Sequence, residues 1–276
     1  MDSLLISARN GDPAAQFKYG LLFDEGRGVA QDYVEAARWY REAAEQGHLD
    51  AQYGLAFLYW NGMGVPKDEA TSTLWSRKAA ERGHGGAQYN LGFCYAKGRG
   101  VARDYVEAAR WYRKAAEQGD PIAQVNLGLM HGRGQGVLED FSESARWFRL
   151  AAEQGNAVGQ LNLATSHEQG KGVPLDYVEA ARWYRKAAEQ GDVNAQAKLS
   201  RLYRKGEGVQ RDLVESHMWI NLAIASSSSK LRLALWSGER ESLSKSMTPE
   251  EIERAHQMAR DWRPKTGGSK RLSRVE

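Results

Sequence analysis

A strict internal period constrains this sequence more than any other feature. Glycine recurs every 36 residues without insertion or deletion, at Gly11, Gly47, Gly83, Gly119, Gly155 and Gly191. A Gly-x-Gly-Val element keeps the same phase, and so does a tryptophan, at Trp39, Trp75, Trp111, Trp147, Trp183 and Trp219. A fixed period of this length is typical of repeat architectures, in which each unit packs only against its neighbours. The chain is therefore predicted to be a tandem array of six copies.

Each copy is predicted to form two helices, A and B, joined by the Gly-x-Gly-Val loop. In the third copy, helix A has apolar residues at helical spacing, and Gly98 provides the left-handed residue that ends it. Helix B follows an aspartate such as Asp104, with a glutamate three residues later in every copy but the second, which is a capping signature. Because one helix pair cannot bury both of its faces, the predicted fold is all-α, a solenoid of antiparallel helix pairs.

The segments that flank the repeats are predicted to cap the array. Residues 1–10 align with the end of a repeat and form a capping helix, the repeats occupy residues 11–225, and two further helices are expected at about 230–243 and 249–262. We expect residues 1–263 to form a single domain, with capping helices in 226–263. Residues 264–276 are rich in glycine and charge and are expected to be a basic disordered tail.

Composition narrows the classes of function. No segment reaches the ~20 apolar residues of a membrane helix, and the first residues do not form a secretory signal, so we expect a cytoplasmic protein. The single cysteine, Cys94, argues against a disulfide framework or a thiolate metal site. A net charge of only +3 argues against a dedicated nucleic-acid binder. No cofactor is expected.

Residues 87–119 read AQYNLGFCYAKGRGVARDYVEAARWYRKAAEQG, and this unit closely resembles the Sel1-like repeat, a relative of the tetratricopeptide repeat. The segment from Met247 to Trp262 also resembles the terminal helix of many bacterial members. The resemblance implies a right-handed superhelix with the A helices on its concave side, and an adaptor or scaffold role. It implies no particular reaction, because a shared fold does not fix a function. We expect a monomer whose partner is a protein or a peptide.

A second stripe on helix A, at relative positions 0, +3, +4 and +7, varies from copy to copy more than the rest of the helix. One interpretation is that the sequence of a solvent-exposed face varies there without functional consequence. The other is a binding face, in which three asparagines hydrogen-bond a peptide backbone, apolar residues form pockets, and the basic sixth copy receives an acidic end of the partner. The predicted partner-binding residues are Phe57, Leu58, Asn90, Phe93, Lys97, Asn126, Leu129, Met130, Arg133, Asn162, Lys198, Arg201 and Lys205.

Catalytic interpretations are weaker. Some cysteine-rich relatives have been linked to penicillin binding, and Ser242-x-x-Lys245 and Lys265-Thr266-Gly267 match two short β-lactamase patterns. Those motifs need a strand beside the serine helix, and an α-helical array has none. The alternative of a penicillin-binding hydrolase is therefore disfavoured, and we expect that the protein is not an enzyme. His131 and His167 stand where other copies have tyrosine, and no carboxylate or cysteine keeps phase with them, so no metal site is expected. A third possibility is salt-sensitive binding of an anionic polymer or membrane by the tail.

Overall fold

The computed structural model describes residues 2–265, which form helices joined by short loops and contain no strand. The predicted all-α fold is therefore confirmed. The helices are α1 (Asp2–Arg9), α2 (Pro13–Glu25), α3 (Tyr33–Glu45), α4 (Leu49–Asn61), α5 (Glu69–Glu81), α6 (Gly85–Lys97), α7 (Tyr105–Glu117), α8 (Pro121–His131), α9 (Phe141–Glu153), α10 (Ala157–Gln169), α11 (Tyr177–Glu189), α12 (Val193–Lys205), α13 (Leu213–Ser226), α14 (Lys230–Ser244) and α15 (Pro249–Asp261).

The loop of each repeat follows from its glycines and its aspartate. Gly98 ends α6 in the left-handed conformation, as predicted, with a φ of 69°. Gly100 also has a positive φ, and a Cβ there would lie 2.1 Å from the carbonyl oxygen of Glu69, so no larger residue fits. Asp104 then begins α7 by accepting hydrogen bonds from the backbone N–H groups of Val106 and Glu107.

The glutamate of the capping signature has a different partner from the one that a capping box requires. The backbone N–H of Asp32 donates to the carbonyl of Phe23 at 3.0 Å, so the group that Glu35 would bind is already occupied. Glu35 instead pairs with Arg38 at 2.8 Å. The same pairing recurs in three later copies, between Arg110 and Glu107, Arg146 and Glu143, and Arg182 and Glu179. The expected capping box at the start of helix B was therefore wrong. A capping box is formed by Thr248 and Glu251 at the start of α15.

Helices A and B of one repeat approach closely because a small residue on A faces an aromatic residue on B. A Cβ at Gly92 would lie 2.7 Å from the ring of Tyr112, and one at Gly128 would lie 2.7 Å from the ring of Phe148. Both rings are buried. The glycine therefore provides the space that the aromatic ring fills, which gives close packing without a cavity.

Buried glutamines connect consecutive repeats. Gln88 donates to the carbonyl of Ala80 at 3.1 Å, and its own oxygen accepts from Gln118 at 2.7 Å. The Gln16–Gln46, Gln124–Gln154 and Gln160–Gln190 pairs repeat this link. Where the second partner changes to Arg82 or Ser226, the buried oxygens of Gln52 and Gln196 have no hydrogen-bond partner among the described residues. These hydrogen bonds between glutamines of consecutive repeats were not predicted from the sequence.

The chain divides into two compact units, which we describe separately. The first contains residues 2–123 and 134–138 of the described chain, and the second contains residues 124–133 and 139–265. A core cluster of the first unit is built on Tyr40, Leu55 and Leu58. The main cluster of the second joins helices α10 to α13 around Tyr184 and Leu199, and Met258 and Trp262 close its end.

The predicted caps are present as helices. Helix α1 packs on α2 through Ala8, Leu4 and Leu5, and α15 packs on α13, where the rings of Trp219 and Trp262 meet edge to face. Beyond α15, Lys265 donates its backbone N–H to the carbonyl of Glu189 at 2.7 Å. The predicted disordered tail otherwise lies outside the described residues, apart from Pro264 and Lys265 at its start.

Candidate partner-binding site

The predicted binding stripe on helix A is only partly accessible. Leu58 and Met130 are buried, so the expectation that they face a partner is wrong. Each lies three residues after a buried leucine, Leu55 or Leu127, and therefore shares the packed face of its helix. Phe57 and Leu129, one position earlier, are half-buried and remain accessible, as is Phe93.

The predicted row of three free amides is absent from the described structure. Asn90 is fully buried, and neither its amide nitrogen nor its oxygen has a hydrogen-bond partner among the described residues. Asn162 is half-buried and donates to the carbonyl of Val158 in its own helix at 2.8 Å. Asn126 is half-buried and already interacts within the protein. The asparagines are thus partly committed to the fold, and Asn90 is inaccessible to a partner.

The cations at the basic end of the stripe are paired with two carboxylates of the same unit. Lys198 pairs with Glu168 at 3.0 Å, and Arg201 contacts Glu168 and Glu207. Lys205 also pairs with Glu207, at 3.4 Å. The free cationic patch expected for an acidic partner is therefore not formed by these three residues. Lys97 and Arg133, at the ends of their helices, are exposed.

The first unit has a groove lined mainly by residues of its A helices. It has a volume of about 510 Å³, and Phe17, Tyr53 and Phe57 are its large apolar lining residues. These rings are partly exposed. Phe17 stacks on His48 with 4.8 Å between centroids, and Tyr53 stacks on His84 at 4.5 Å. Rigid, exposed aromatic side chains are typical anchors of protein interfaces.

Acidic residues accompany these rings. Asp24 lines the groove and accepts a hydrogen bond from the hydroxyl of Tyr40, with 2.8 Å between oxygens. Burial raises the pKa of Asp24 above its ordinary value, although the Tyr40 hydrogen bond acts in the opposite direction. Burial also raises the pKa of Tyr40, so this phenol stays protonated and remains the donor.

The second acidic position is Asp50, which lies 3.3 Å from Nε2 of His84. Nδ1 of His84 accepts from the backbone N–H of Ala87 at 3.0 Å, so the proton of the neutral ring is assigned to Nε2 and donated to Asp50. Burial lowers the pKa of His84, which favours this neutral form. The contact is therefore a hydrogen bond from the neutral ring of His84 to the Asp50 carboxylate.

Four residues that line the groove were not predicted from the sequence: Asp24, Asp50, Tyr53 and His84. A signal for Asp24 was present: it precedes Tyr40 by 16 residues, and Glu168 precedes Tyr184 by the same interval four repeats later. The role of His84 had no comparable signal, because a histidine that begins a helix through Nδ1 replaces the usual aspartate.

The histidines and the cysteine at tyrosine-like or stripe positions are packed. His131 and His167 are buried, and among the described residues no group of three or more potential ligands is arranged to hold a metal ion. Cys94 is also buried, and burial raises the pKa of its thiol to about 11, so it is not a reactive thiolate at neutral pH.

Of the two β-lactamase-like patterns, the described residues include Ser242-x-x-Lys245 and only Lys265 of the second. Ser242 and Lys245 are exposed at the end of α14, and Lys245 pairs with Glu241 at 3.4 Å. Lys265 pairs with Glu189 at 2.9 Å, and Thr266, Gly267, Lys270, Arg271 and Arg274 lie outside the described residues. Within residues 2–265, no helix is long and apolar enough to cross a membrane.

Helix pairs that repeat every 36 residues and pack only on their neighbours within each unit define a helical-repeat protein. The family model for the Sel1 repeat matches six segments, residues 13–48, 49–84, 86–120, 121–156, 157–192 and 193–228. The chain therefore belongs to the Sel1 repeat family, as its resemblance predicted. Members of this family typically act as scaffolds for protein–protein interaction.

The chain is also similar to solved structures, and the first of them agrees with this assignment. A Sel1 repeat protein from Oxalobacter formigenes is 35% identical, over 80% of this chain and 87% of that one, with a TM-score of 0.69. The protein c5321, a protective antigen of uropathogenic Escherichia coli with an SLR fold, is 26% identical over 95% of this chain and 86% of that one, with a TM-score of 0.43. No curated protein matches the sequence.

Proposed function

We propose that this protein is a scaffold or adaptor that binds a partner protein or peptide on the face formed by its A helices. The observation that carries the proposal is the groove of the first unit, where the aromatic residues Phe17, Tyr53 and Phe57 are accessible and the first two stack on histidines. Exposed aromatic residues in a concave site favour binding of another chain, since their burial removes apolar surface from water without much loss of side-chain freedom.

The predicted binding residues divide into two groups in this proposal. Phe57, Phe93 and Lys97 in the first unit, and Leu129 and Arg133 in the second, are accessible and are proposed to contact the partner. Asn126, Asn162, Lys198, Arg201 and Lys205 are engaged within the protein and are proposed to contribute at the edges of the interface. Leu58, Asn90 and Met130 are buried, and they are proposed to support the binding face by packing beneath it without contacting the partner.

The proposal also includes the remaining expectations from the sequence. The chain acts as a monomer in the cytoplasm of a bacterium, binds no nucleic acid, uses no cofactor and catalyses no reaction. These features are supported by the low net charge, by the composition and by the family, whose members share a fold and no common reaction.

The test is an affinity capture with two matched variants of the full chain. The groove variant carries Leu21→Ser and Phe57→Ser, two half-buried apolar residues of the A-helix face that line the groove. The control carries Val106→Ser and Val178→Ser, which are 63% and 64% exposed at the start of helices α7 and α11. Both variants remove two apolar side chains from accessible positions, and circular dichroism checks that both keep the helix content of wild type.

The proposal predicts that a protein captured by wild type and by the valine control is lost from the groove variant. Equal capture by all three chains would contradict it, and would indicate that the partner binds helix B, the caps or the tail.

A further inference from the structure

The second unit shows how this fold binds a cationic side chain. Glu168, at the end of helix A in the fifth repeat, is held by the hydroxyl of Tyr184 at 2.8 Å. Two cations from helix A of the next repeat complete the site: Lys198 lies 3.0 Å from Glu168, and Arg201 contacts its other oxygen. The side chain of Glu168 is only 8% exposed. Because a buried charge is costly unless it is paired, these two cations stabilise its carboxylate.

The first unit contains the same acid–tyrosine pair without the cations. Asp24 and Tyr40 stand four repeats before Glu168 and Tyr184, and their oxygens are also 2.8 Å apart. The positions that correspond to Lys198 and Arg201 are Gly54 and Phe57. All four of these residues of the first unit line the groove of about 510 Å³.

The loss of the two cations has an electrostatic consequence. Asp24 is half-buried, no cation pairs with it among the described residues, and burial raises its pKa. A carboxylate in this situation is stabilised by a cation that enters from outside. Asp50 and Asp120 line the same groove, and none of its described lining residues is a lysine or an arginine. The groove therefore has negative charge on an aromatic surface.

A cationic side chain also fits the aromatic part of the groove. Within the protein, the Lys78 ammonium already lies 4.1 Å from the centre of the Trp75 ring, and the Arg110 guanidinium lies 4.8 Å from that of Trp111. Phe17, Tyr53 and Phe57 line the groove, and aromatic rings attract lysine and arginine. An apolar residue beside the cation would pack on the same rings.

We propose that the groove of the first unit selects a partner segment in which a lysine or arginine adjoins an aromatic or large aliphatic residue. The cation occupies the position that Lys198 and Arg201 take in the second unit, and it pairs with Asp24. This inference rests on the proposed function, and it replaces the earlier expectation of an acidic partner by a basic one for this groove.

The probe is a phage-displayed library of random twelve-residue peptides, selected on the immobilised full chain at low salt. Asp24→Asn removes the charge but keeps an oxygen that accepts from Tyr40. Phe57→Arg puts a cation at the position of Arg201 and fills the site from within. Glu81→Gln is the charge-matched control, because Glu81 is exposed and does not line the groove. Selected peptides are then measured by fluorescence anisotropy, beside analogues with glutamine in place of the cation.

The selected peptides are expected to share a cation next to an apolar residue, and Asp24→Asn is expected to weaken their binding about tenfold, as for loss of a charged hydrogen bond. The glutamine analogues should lose a similar factor, Phe57→Arg should abolish binding, and Glu81→Gln should leave it unchanged. Acidic or uncharged peptides that bind in the groove, or no enrichment at all, would overturn the inference. Such groove binders would still leave the proposed function standing, whereas peptides that bind Phe57→Arg and the serine groove variant as well as wild type would count against both.

Discussion

Repeats one and five have the same acid–tyrosine pair in opposite surroundings. In repeat five, Glu168 and Tyr184 are covered by Lys198 and Arg201, and the carboxylate is nearly buried. In repeat one, Asp24 and Tyr40 open into a groove, because Gly54 and Phe57 occupy the corresponding positions. The two repeats share their helix lengths and loop geometry.

If a partner binds as proposed, this difference assigns the specificity of the array to a few side chains. The backbone and its glycines are common to all copies and determine only that helices stack. Two side chains on the following helix A determine whether the face of a repeat is closed by an internal ion pair or left open for another chain. Function in such an array is therefore a property of substitutions at a few positions and not of the repeat itself.

The largest expected effect is that of neutralising the buried acid. Glu168→Gln should lower the free energy of unfolding by about 2–3 kcal/mol, because it leaves Lys198 without an ion-pair partner and Arg201 with Glu207 alone. Asp24→Asn should change it by less than about 0.5 kcal/mol, as for other accessible positions. Urea denaturation followed by circular dichroism measures both. Equal losses from the two variants would mean that the sites are not differently paired.

Removal of the tyrosine hydroxyls should give a smaller contrast. The hydroxyl of Tyr184 has two partners, Glu168 at 2.8 Å and Thr165 at 3.0 Å, whereas that of Tyr40 has Asp24. Tyr184→Phe should therefore destabilise by about 1–2 kcal/mol and Tyr40→Phe by about 1 kcal/mol or less. The same denaturation experiment applies, and a larger loss for Tyr40→Phe would contradict the comparison.

The smallest expected effect is on the pH dependence of stability, and it concerns Asp24 alone. Because burial raises the pKa of Asp24, the folded chain binds this proton more tightly than the unfolded chain does. The contribution of Asp24 to stability is therefore lost as the pH rises from its ordinary value of 3.8 through the raised one. Asp24→Asn should be slightly more stable than wild type at pH 7, and the two should converge near pH 3. A wild-type advantage at pH 7 would mean that a cation of the chain already pairs with Asp24.

The sequence predicted the helices and their ends well because these depend on local signals. The glycine that ends α6 and the aspartate that begins α7 act through the adjacent backbone, so a regular period is enough to recognise them. The partner of Glu35 was not predicted, since the N–H of Asp32 is occupied by a carbonyl from the preceding helix. That contact exists only after the two helices pack.

The binding face was predicted less well for a similar reason. A stripe of four positions on a helix is broad enough that its edge reaches the packed face, which is where Leu58 and Met130 lie. The pairing of Lys198 with Glu168 joins residues 30 positions apart and depends on how one repeat lies on the next. Comparison of copies in register would have found the acid–tyrosine pairs, although not their accessibility.

Photo-crosslinking in living cells tests the central claim, that a partner binds the A-helix face, most directly. Benzoylphenylalanine in place of Phe57 reports on the groove, and the same residue in place of Val106, which is 63% exposed at the start of α7, reports on a surface outside the groove lining. We predict a discrete crosslinked protein from position 57 that is absent from position 106 and becomes weaker when Asp24→Asn is added. A product that forms at position 106 and not at position 57 would contradict it.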